Sequence, residues 1–356
     1  MHIMFDVGIV GAGVAGSCCA QALGNSGVRV ALFDNSHPRE KPCGGLIENN
    51  VVKELKIPHE LLENEVNWLA AERFGFRSRL YYASPFYLVS RRDFDRHLLI
   101  EALRNKSVTF FPERVVHISK GKECWMLTTD KGRLARTKAL IGADGCPSTV
   151  RNLVSVPIPL HFLAAAVGYV FSCSNSFVKE TFPQNTIEGF YSHRYVPKGG
   201  FLWIFPKRTS INVGVGSIQS TKKLKKALDG FILHHPSGRR FQTFQKKPYA
   251  HLVPAVWDAS FFETSCCGDT WALLGDAAGH VNPISGAGIY YAMKDGMLCA
   301  SAFLDSDLRL YDRYWRQEYG DELRRSAKHV LRFYSSAGLF LWLGHLFENR
   351  IRRLLD

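Results

Sequence analysis

Residues 5–16 have the sequence Phe-Asp-Val-Gly-Ile-Val-Gly-Ala-Gly-Val-Ala-Gly, in which a short apolar run leads directly into a Gly-x-Gly-x-x-Gly motif. The run predicts a buried parallel strand, and residues 14–23 are typical of the helix that would follow it. Residues 28–33 predict a second strand, which ends at Asp34. A strand, a glycine-rich turn, a helix and a second strand form the βαβ unit that binds dinucleotides.

Each glycine of this motif has its own role. Gly11 permits the tight turn, Gly13 lets the backbone approach a pyrophosphate, and Gly16 lets the helix pack closely on the strand. The free N–H groups and the positive dipole at the helix N-terminus then face the phosphates. Ala15, in the first turn of this helix, is included among the expected cofactor-binding residues. The carboxylate of Asp34 is placed to accept hydrogen bonds from the adenosine ribose.

A second motif lies far along the chain, where residues 274–280 have the sequence Leu-Gly-Asp-Ala-Ala-Gly-His. In flavoproteins with this arrangement the aspartate, here Asp276, holds the ribityl chain or a water that bridges the phosphates. The loop then leads into a helix predicted over 288–304, whose N-terminal amides would stabilise the anionic reduced flavin. This loop adds four expected cofactor contacts: Pro283, Gly286, Gly288 and Ile289. We expect His280 to lie at the surface or at a helix cap. The two motifs together indicate that the cofactor is FAD.

Two shorter elements also suggest a flavin site. Residues 142–151, Gly-Ala-Asp-Gly-Cys-Pro-Ser-Thr-Val-Arg, resemble the Asp-Gly motif of flavin hydroxylase-type folds. This resemblance places Asp144 near the cofactor, and Ser148 is suited to cap the next helix. Arg91 precedes Arg-Asp-Phe-Asp and resembles the Arg-x-x-Phe-Asp element, whose guanidinium contacts FAD. The spacing favours Arg91 over its neighbour Arg92.

These motifs, in this order, resemble the glutathione reductase-2 type flavoproteins, the class that includes p-hydroxybenzoate hydroxylase. The resemblance implies an α/β fold with a Rossmann-type FAD-binding domain, an antiparallel-sheet substrate domain and a helical C-terminus. We also assign Val115, in a strand predicted over 114–118, to the cofactor-binding residues. The expected FAD-binding domain comprises residues 1–65, 90–154 and 256–310. The substrate domain would comprise 66–89 and 155–255, where alternating segments predict an antiparallel sheet, and 311–356 would be the C-terminal helical region.

Two segments resemble the geranylgeranyl reductase family more specifically. Residues 41–45, Lys-Pro-Cys-Gly-Gly, resemble that family's Pro-Cys-Gly-Gly element. Residues 200–207, Gly-Phe-Leu-Trp-Ile-Phe-Pro-Lys, are similar to its Tyr-x-Trp-x-Phe-Pro segment, with Phe201 in place of the tyrosine. The resemblance implies hydride transfer from flavin N5 to an isolated C=C bond of a polyprenyl lipid.

The same resemblance implies a set of site residues. Cys43, Gly44 and Gly45 would lie near the flavin, and Cys43 is the candidate catalytic residue, as a proton donor or in adjusting the loop. An apolar cavity must hold the alkene close to N5 and exclude water. The candidates to line it are Phe190, Tyr191, Trp203 and Phe205, for which ordinary sheet-core packing is the alternative.

Several alternatives stay open. A flavin-dependent aromatic monooxygenase or halogenase has the same fold, and a flavin-binding protein without turnover would have the same cofactor motifs. No second Gly-x-Gly-x-x-Gly unit is present, so the reductant is either NAD(P)H, bound transiently at the flavin cleft, or another donor. We expect no metal site, because no Cys-x-x-Cys pair suggests zinc or an iron–sulfur cluster.

Charge and cysteine content indicate the surroundings of the protein. The net charge of +13 and the absence of a nucleic-acid motif favour an anionic membrane or substrate over DNA or RNA. Adjacent cysteines close disulfides poorly and no signal peptide is evident, so we expect a cytoplasmic protein. The apolar residues 337–343, with arginines following at 350, 352 and 353, would lie at the inner membrane surface or close over the substrate domain.

Overall fold

The computed structural model describes residues 4–41, 43–191, 194–218 and 223–335, and the chain forms two compact units. Unit 1 comprises Met1–Lys41, Arg91–Leu160 and Pro254–Ala327, and unit 2 comprises Pro42–Ser90, His161–Val253 and Lys328–Asp356. Several segments differ from the expected domain bounds. Residues 42–65 belong to unit 2, because their strands join its sheet, and residues 155–160 belong to unit 1. The expected C-terminal helical region is divided, with residues 311–327 in unit 1 and those from 328 onward in unit 2.

Strands and helices are numbered along the chain. The strands are β1 Met4–Val10, β2 Val30–Phe33, β3 Leu46–Glu48, β4 Leu62–Arg73, β5 Phe76–Val89, β6 Val108–Phe111, β7 Val115–Lys120, β8 Trp125–Thr129, β9 Leu134–Gly142, β10 Leu163–Ser172, β11 Ile187–Tyr191, β12 Gly200–Pro206, β13 Ser210–Ser217, β14 Lys246–Pro254, β15 Cys267–Gly268 and β16 Trp271–Leu273. The helices are α1 Val14–Asn25, α2 Asn49–Glu54, α3 Arg91–Leu103, α4 Thr149–Val154, α5 Asn175–Thr181, α6 Leu224–His234, α7 Pro236–Arg239, α8 Ile289–Leu304, α9 Leu310–Trp315 and α10 Asp321–Phe333.

Unit 1 is built on a sheet whose central strands are parallel. Its order is β15-β16-β9-β1-β2-β6, and the antiparallel β7–β8 hairpin joins it through β8 and β9. Val7 in β1 lies in register with Val30 in β2 on one side and with Ala139 in β9 on the other. All four residues of β2 are buried, as expected of a parallel strand that is covered on both faces. Helix α1 packs against α3 and α8.

Unit 2 is built on a second sheet, with the order β14-β10-β13-β12-β11-β4-β5-β3. Strands β4 and β11 pair in parallel, whereas β10, β13, β12 and β11 are successively antiparallel. Because side chains alternate along a strand, this sheet has two different faces. Leu202 and Ile204 of β12 point into a core closed by residues of α6. The opposite face, which we call the aromatic face, carries Tyr191, Phe201, Trp203 and Phe205.

This arrangement confirms the predicted fold class, a Rossmann-type α/β domain together with a largely antiparallel sheet. The described part of the C-terminal region is helical as far as Phe333. Residues 337–343 and the arginines after them, for which we predicted a membrane or packing role, lie outside the described residues.

Buried and exposed positions of the unit 2 sheet predict different responses to truncation. Leu202→Ala should lower the free energy of unfolding by about 2–5 kcal/mol, because Leu202 is fully buried and its removal leaves a cavity. Leu252→Ala on β14 is the matched control, since Leu252 is 37% exposed, and its cost should stay below about 1 kcal/mol. Urea denaturation followed by tryptophan fluorescence measures both. Equal costs would contradict the assignment of the core-facing side of this sheet.

Candidate functional site

The first glycine motif brings three backbone segments into contact. Gly11 has φ +103°, in the left-handed region, and a Cβ added there would lie 2.2 Å from the carbonyl oxygen of Ala143. A Cβ added at Gly16 would lie 1.9 Å from the carbonyl oxygen of Gly11. The end of β1, the start of α1 and the residue after β9 therefore meet with no room for a side chain.

Gly13 differs from the other two glycines, because a Cβ added there would meet no protein atom within 4 Å. It is the N-cap residue of α1, and no side chain caps that end of the helix. Ala15 lies buried in the first turn. Open space beside uncapped N–H groups at the positive end of a helix suits a phosphate group. The residues present therefore fit the pyrophosphate of FAD.

The carboxylate of Asp34 orients the glycine turn. One oxygen accepts a hydrogen bond from the Ala12 N–H at 3.0 Å, and the other accepts from the N–H and hydroxyl of Ser36, each at 2.8 Å. A carboxylate has about four acceptor positions, so capacity remains for a ribose hydroxyl. The structure thus places Asp34 beside Ala12, within the glycine turn, and gives it a positioning role that the sequence did not reveal.

The second motif is held by two long-range polar contacts. The Gly275 N–H donates to Asp295 Oδ2 at 2.7 Å, and Asp276 Oδ2 forms an ion pair with Lys41 Nζ at 3.0 Å. Sequence reasoning missed Lys41, although it immediately precedes the Pro-Cys-Gly-Gly element. The ion pair means that Asp276 is already oriented by a cation from a segment 235 residues away.

A buried polar cluster lies behind this loop. His280 and Asp295 are both fully buried, and His280 Nδ1 lies 2.9 Å from Asp295 Oδ2. The Tyr319 hydroxyl donates to Asp295 and lies 3.0 Å from His280 Nδ1. The expectation that His280 lies at the surface or at a cap was wrong, because the loop turns the imidazole inward against Asp295.

The loop then leads into α8, which connects the two motifs. Pro283 is buried, Gly286 has φ +71°, and Gly288 and Ile289 begin α8 as its N-cap and first residue. Within α8, a Cβ added at Gly296 would lie 2.5 Å from the carbonyl oxygen of Ala15 in α1. The helices that follow the two motifs therefore cross with their backbones in contact. Sequence analysis missed Gly296 because the glycine lies inside an ordinary helical pattern.

The Asp-Gly segment forms a capped turn. Asp144 accepts hydrogen bonds from the Ser148 hydroxyl at 2.6 Å and from the N–H groups of Thr149 and Val150. Burial raises the pKa of Asp144, and these hydrogen bonds oppose that shift. Ser148 caps α4, as expected, by accepting from the Arg151 N–H. The Arg151 guanidinium donates to the Ala277 carbonyl at 3.0 Å, which ties this turn to the second motif.

Arg91 and Val115 each contact residues of their own helix or hairpin. Arg91 is buried and forms a two-bond ion pair with Asp95, both distances being 2.8 Å, at the start of α3. The Asp of the Arg-x-x-Phe-Asp element therefore orients its arginine. Val115 is buried in register with Thr129 in the β7–β8 hairpin. A role of either residue in binding FAD stays a prediction.

In unit 2, the Cys-Gly-Gly loop packs against the aromatic face. A Cβ added at Gly44 would lie 2.3 Å from the ring of Phe205, and one added at Gly45, where φ is +78°, would lie 2.2 Å from the carbonyl oxygen of Val89. The Cys43 sulfur accepts a hydrogen bond from the Gly45 N–H at 3.4 Å. Both glycines are thus required for the loop to lie flat on Phe205.

The aromatic face carries a row of four rings. Tyr191 stacks on Phe201 at 5.7 Å between centroids, Phe201 lies 5.3 Å from Trp203, and Trp203 lies 6.4 Å from Phe205. Trp203 lies flat over Gly214, where an added Cβ would be 2.2 Å from its ring, and its Nε1 donates to Asn212 Oδ1 at 2.8 Å. We call these four residues the aromatic row.

Phe190 corrects one expectation about the cavity. It precedes Tyr191 on the same strand and so points to the opposite face, where it is 1% exposed and packs on Phe231 of α6 at 4.9 Å between centroids. Phe190 is therefore a core residue and does not line a cavity with Trp203.

Comparisons with known proteins show which proteins this chain is similar to. Residues 5–169 match the pyridine nucleotide-disulphide oxidoreductase family. A geranylgeranyl diphosphate reductase of Rhodobacter capsulatus is 30% identical over 341 residues, which cover 89% of this chain and 81% of that protein. A digeranylgeranylglycerophospholipid reductase of Methanocaldococcus jannaschii is 24% identical over 348 residues, covering 92% and 86%.

A solved structure shows the same fold. It is a geranylgeranyl bacteriochlorophyll reductase-like protein from Thermoplasma acidophilum, with a TM-score of 0.77 and 21% identity over 93% of this chain and 87% of that one. The glycine turn and the Gly275–Asp276 loop indicate a flavoprotein, and the similarity to named reductases extends over nearly the full length of the chain. The chain belongs to the geranylgeranyl reductase family of FAD-dependent oxidoreductases.

Proposed function

We propose that this enzyme saturates isolated C=C bonds of a polyprenyl lipid of the geranylgeranyl type. Bound, reduced FAD supplies the hydride from its N5 atom, and a proton completes the saturation of each double bond. The observation that carries the proposal is the aromatic row, which ends at Phe205 against the Cys-Gly-Gly loop. The names of the relatives, which are reductases of geranylgeranyl and digeranylgeranyl compounds, support the same substrate class.

The residues of unit 1 would hold the cofactor as follows. The open space at Gly13 and the N-terminus of α1 receive the pyrophosphate, and Asp34 binds the adenosine ribose. Asp276, oriented by Lys41, binds the phosphate–ribityl end. The N-terminus of α8 would lie toward the pyrimidine ring, where the positive end of the helix dipole would favour the reduced anionic form.

The residues of unit 2 would hold the alkene. An isolated double bond is a poor hydride acceptor, so it must be held in a fixed position in a dry site. Tyr191, Phe201, Trp203 and Phe205 form an apolar wall of this kind, and the Trp203 ring is fixed by Gly214 and Asn212. Cys43 is the candidate proton donor, since the hydrogen bond from the Gly45 N–H holds its sulfur in the loop beside Phe205.

An anaerobic experiment separates this function from its alternatives. The FAD is reduced without oxygen, and geranylgeranyl lipid is then added. Reoxidation of the flavin, with a gain of two hydrogens per double bond measured by mass spectrometry, is the expected result. Flavin that reacts only with oxygen and an aromatic substrate would establish a monooxygenase or halogenase. Flavin that no electron acceptor reoxidises would establish a binding protein.

The reductant and the location in the cell belong to the same proposal. NAD(P)H or another donor reduces the FAD, and stopped-flow reduction by each candidate donor distinguishes them. In the described ranges, no helix combines the length and apolarity required to cross a bilayer. With a net charge of +13, we propose peripheral contact with an anionic membrane on its cytoplasmic face, which salt-sensitive binding to anionic liposomes would test.

Gly13→Val should abolish FAD binding without unfolding the chain. An added Cβ meets no protein atom within 4 Å, and the branched side chain would occupy the space assigned to the pyrophosphate. We expect no visible flavin absorbance after reconstitution and an unfolding midpoint equal to that of the parent apoprotein. Gly230→Ala, in α6, where an added Cβ makes ordinary contact with Tyr195, is the control and should bind FAD normally. Normal FAD content in Gly13→Val would contradict the site.

Asp295→Asn should weaken FAD binding through the loop that Asp295 supports. Loss of charge-assisted hydrogen bonds to Gly275, Tyr319 and His280 should reduce FAD affinity by about tenfold or more, since such bonds contribute about 1.5–3 kcal/mol. Asp305→Asn is the control, because the side chain of the exposed Asp305 bonds only to Tyr314 among the contacts seen in the described chain. Flavin fluorescence titration measures both, and unchanged affinity in Asp295→Asn would exclude the positioning role.

Trp203→Ala should reduce lipid turnover while retaining FAD. We expect kcat/KM for the lipid to fall by about tenfold or more, because a large buried side chain contributes ~1.5–3 kcal/mol of apolar contact. Trp203→Phe, which keeps a ring but loses the bond to Asn212, should retain most of the activity. Equal losses of turnover and FAD affinity in Trp203→Ala would show that Trp203 is only a core residue.

A further inference from the structure

An arginine lies buried at the far end of the aromatic row. Arg73 is the last residue of β4, it is 0% exposed, and it lies in register with Tyr191 on the neighbouring strand β11. Residues paired in register project from the same side of a sheet, so Arg73 belongs to the aromatic face. The guanidinium also lies 5.0 Å from the ring of Phe333, which itself packs edge-on against Tyr191.

The hydrogen bonds of Arg73 are incomplete. Its Nη2 donates to the carbonyl oxygens of Phe333 and Ser335 at the end of α10. Its Nε and Nη1 are buried and have no hydrogen-bond partner among the residues that the structure describes. Within the described ranges, no carboxylate forms an ion pair with this side chain. The helix end accounts for one nitrogen and leaves two donors without an acceptor.

Such an arrangement is costly unless an anion completes it. A buried charge without a partner costs several kcal/mol, and a buried donor without an acceptor adds to that cost. Burial lowers the pKa of Arg73, but a guanidinium remains charged in proteins. Its planar array of N–H donors matches the oxygens of a phosphate. Two unused nitrogens on one fixed guanidinium therefore point to a bound anion, which can accept a hydrogen bond from either of them.

The position of Arg73 defines the shape of the ligand. Phe201, beside Tyr191, and Phe205, beside Gly44, are four positions apart, which is about 13 Å along an extended strand. The row between them is apolar. A ligand that fits both features has an anionic head at Arg73 and an apolar chain that runs along the rings toward the Cys-Gly-Gly loop.

We propose that Arg73 binds the phosphate group of the prenyl lipid substrate, and that the aromatic row receives its chain. This inference rests on the proposed function, and it assigns one residue to the head group of that lipid. The phosphate head is then anchored at the Tyr191 end of the aromatic row, away from Gly44. The length of prenyl chain between this head and the Cys-Gly-Gly loop sets which double bond reaches the loop.

The test compares two substrates with the same chain. Arg73→Gln is assayed anaerobically, with dithionite as reductant, on geranylgeranyl diphosphate and on geranylgeraniol, which lacks the phosphates. We expect KM for the diphosphate to rise by about tenfold or more, because Arg73→Gln removes hydrogen bonds between two charged groups. KM for the alcohol should stay unchanged. Arg73→Lys, which keeps the charge but not the planar array, should lie between the parent and Arg73→Gln.

A neighbouring arginine provides the matched control. Arg79 of β5 pairs in register with Ala70, on the face opposite to Arg73, and already donates to Gln184 and Thr186. Arg79→Gln should leave the KM of both substrates unchanged. Unfolding midpoints of all variants, measured with and without inorganic pyrophosphate, check folding, and pyrophosphate should raise the midpoint of the parent but not that of Arg73→Gln.

Two results would overturn the proposal. Equal changes in KM for the diphosphate and the alcohol would show that Arg73 only supports the fold. Lower stability with an unchanged ratio of the two KM values would show that the chain itself supplies the anion. A glycerophospholipid with geranylgeranyl chains, in detergent micelles, is the third substrate, and the head whose KM depends on Arg73 identifies the source of the phosphate.

Failure of the proposed function gives a different result. If the parent protein reduces neither lipid, the reductase assignment fails, and Arg73 is then tested by binding alone. Quenching of tryptophan fluorescence by geranylgeranyl diphosphate should be tighter for the parent than for Arg73→Gln, with no such difference for geranylgeraniol. Equal binding of the diphosphate by both proteins would overturn the Arg73 site independently of activity.

Discussion

The site in unit 1 depends on one steric constraint, which is the absence of side chains where β1, α1 and the end of β9 meet. Gly11 and Gly16 bring these backbones closer than any Cβ would permit. This contact places the N-terminus of α1 at the carboxyl edge of the parallel sheet and leaves space beside Gly13. The electrostatic potential for binding an anion follows from that placement, because the helix start has unpaired N–H groups and the positive end of the dipole.

The same principle joins the two motifs. Gly296 lets α8 cross α1 at Ala15 with backbone contact. The loop before α8 is therefore held at a fixed position relative to the first glycine turn. Polar contacts then orient the loop itself. Asp295, on α8, accepts the Gly275 N–H, and Lys41 pairs with Asp276. Full burial of His280 and Asp295 makes this support rigid, since hydrogen bonds in a low-dielectric interior are strong and their loss is costly.

Unit 2 separates stability from binding by using the two faces of one sheet. The face with Phe190, Leu202 and Ile204 supplies the core with α6. On the other face, Gly214 lets the Trp203 ring lie flat on the sheet, and Gly44 lets the Cys-Gly-Gly loop pack on Phe205. An apolar wall that is fixed by Asn212 at one point and ends at a buried guanidinium suits a long chain with one charged end.

The sequence by itself determined the local architecture. The Gly-x-Gly-x-x-Gly turn between two apolar strands, the helix over 91–103 and the strand over 200–206 follow from short-range periodicity and glycine spacing, and the structure has them. The Gly-Asp loop and the Pro-Cys-Gly-Gly element identified the family, because those residue types serve close backbone approach and cofactor contact.

Only the tertiary structure decided which distant groups meet. Lys41 lies 235 residues from Asp276, and no periodic pattern encodes their ion pair. Alternation placed Phe190 and Tyr191 on opposite faces, but the packing of α6 decided which of them joined the core. His280 turned inward because Asp295 was there to receive it, and Arg73 became buried because β4 ends beside Tyr191 and Phe333. Burial and pairing depend on the long-range topology, which short-range sequence patterns do not specify.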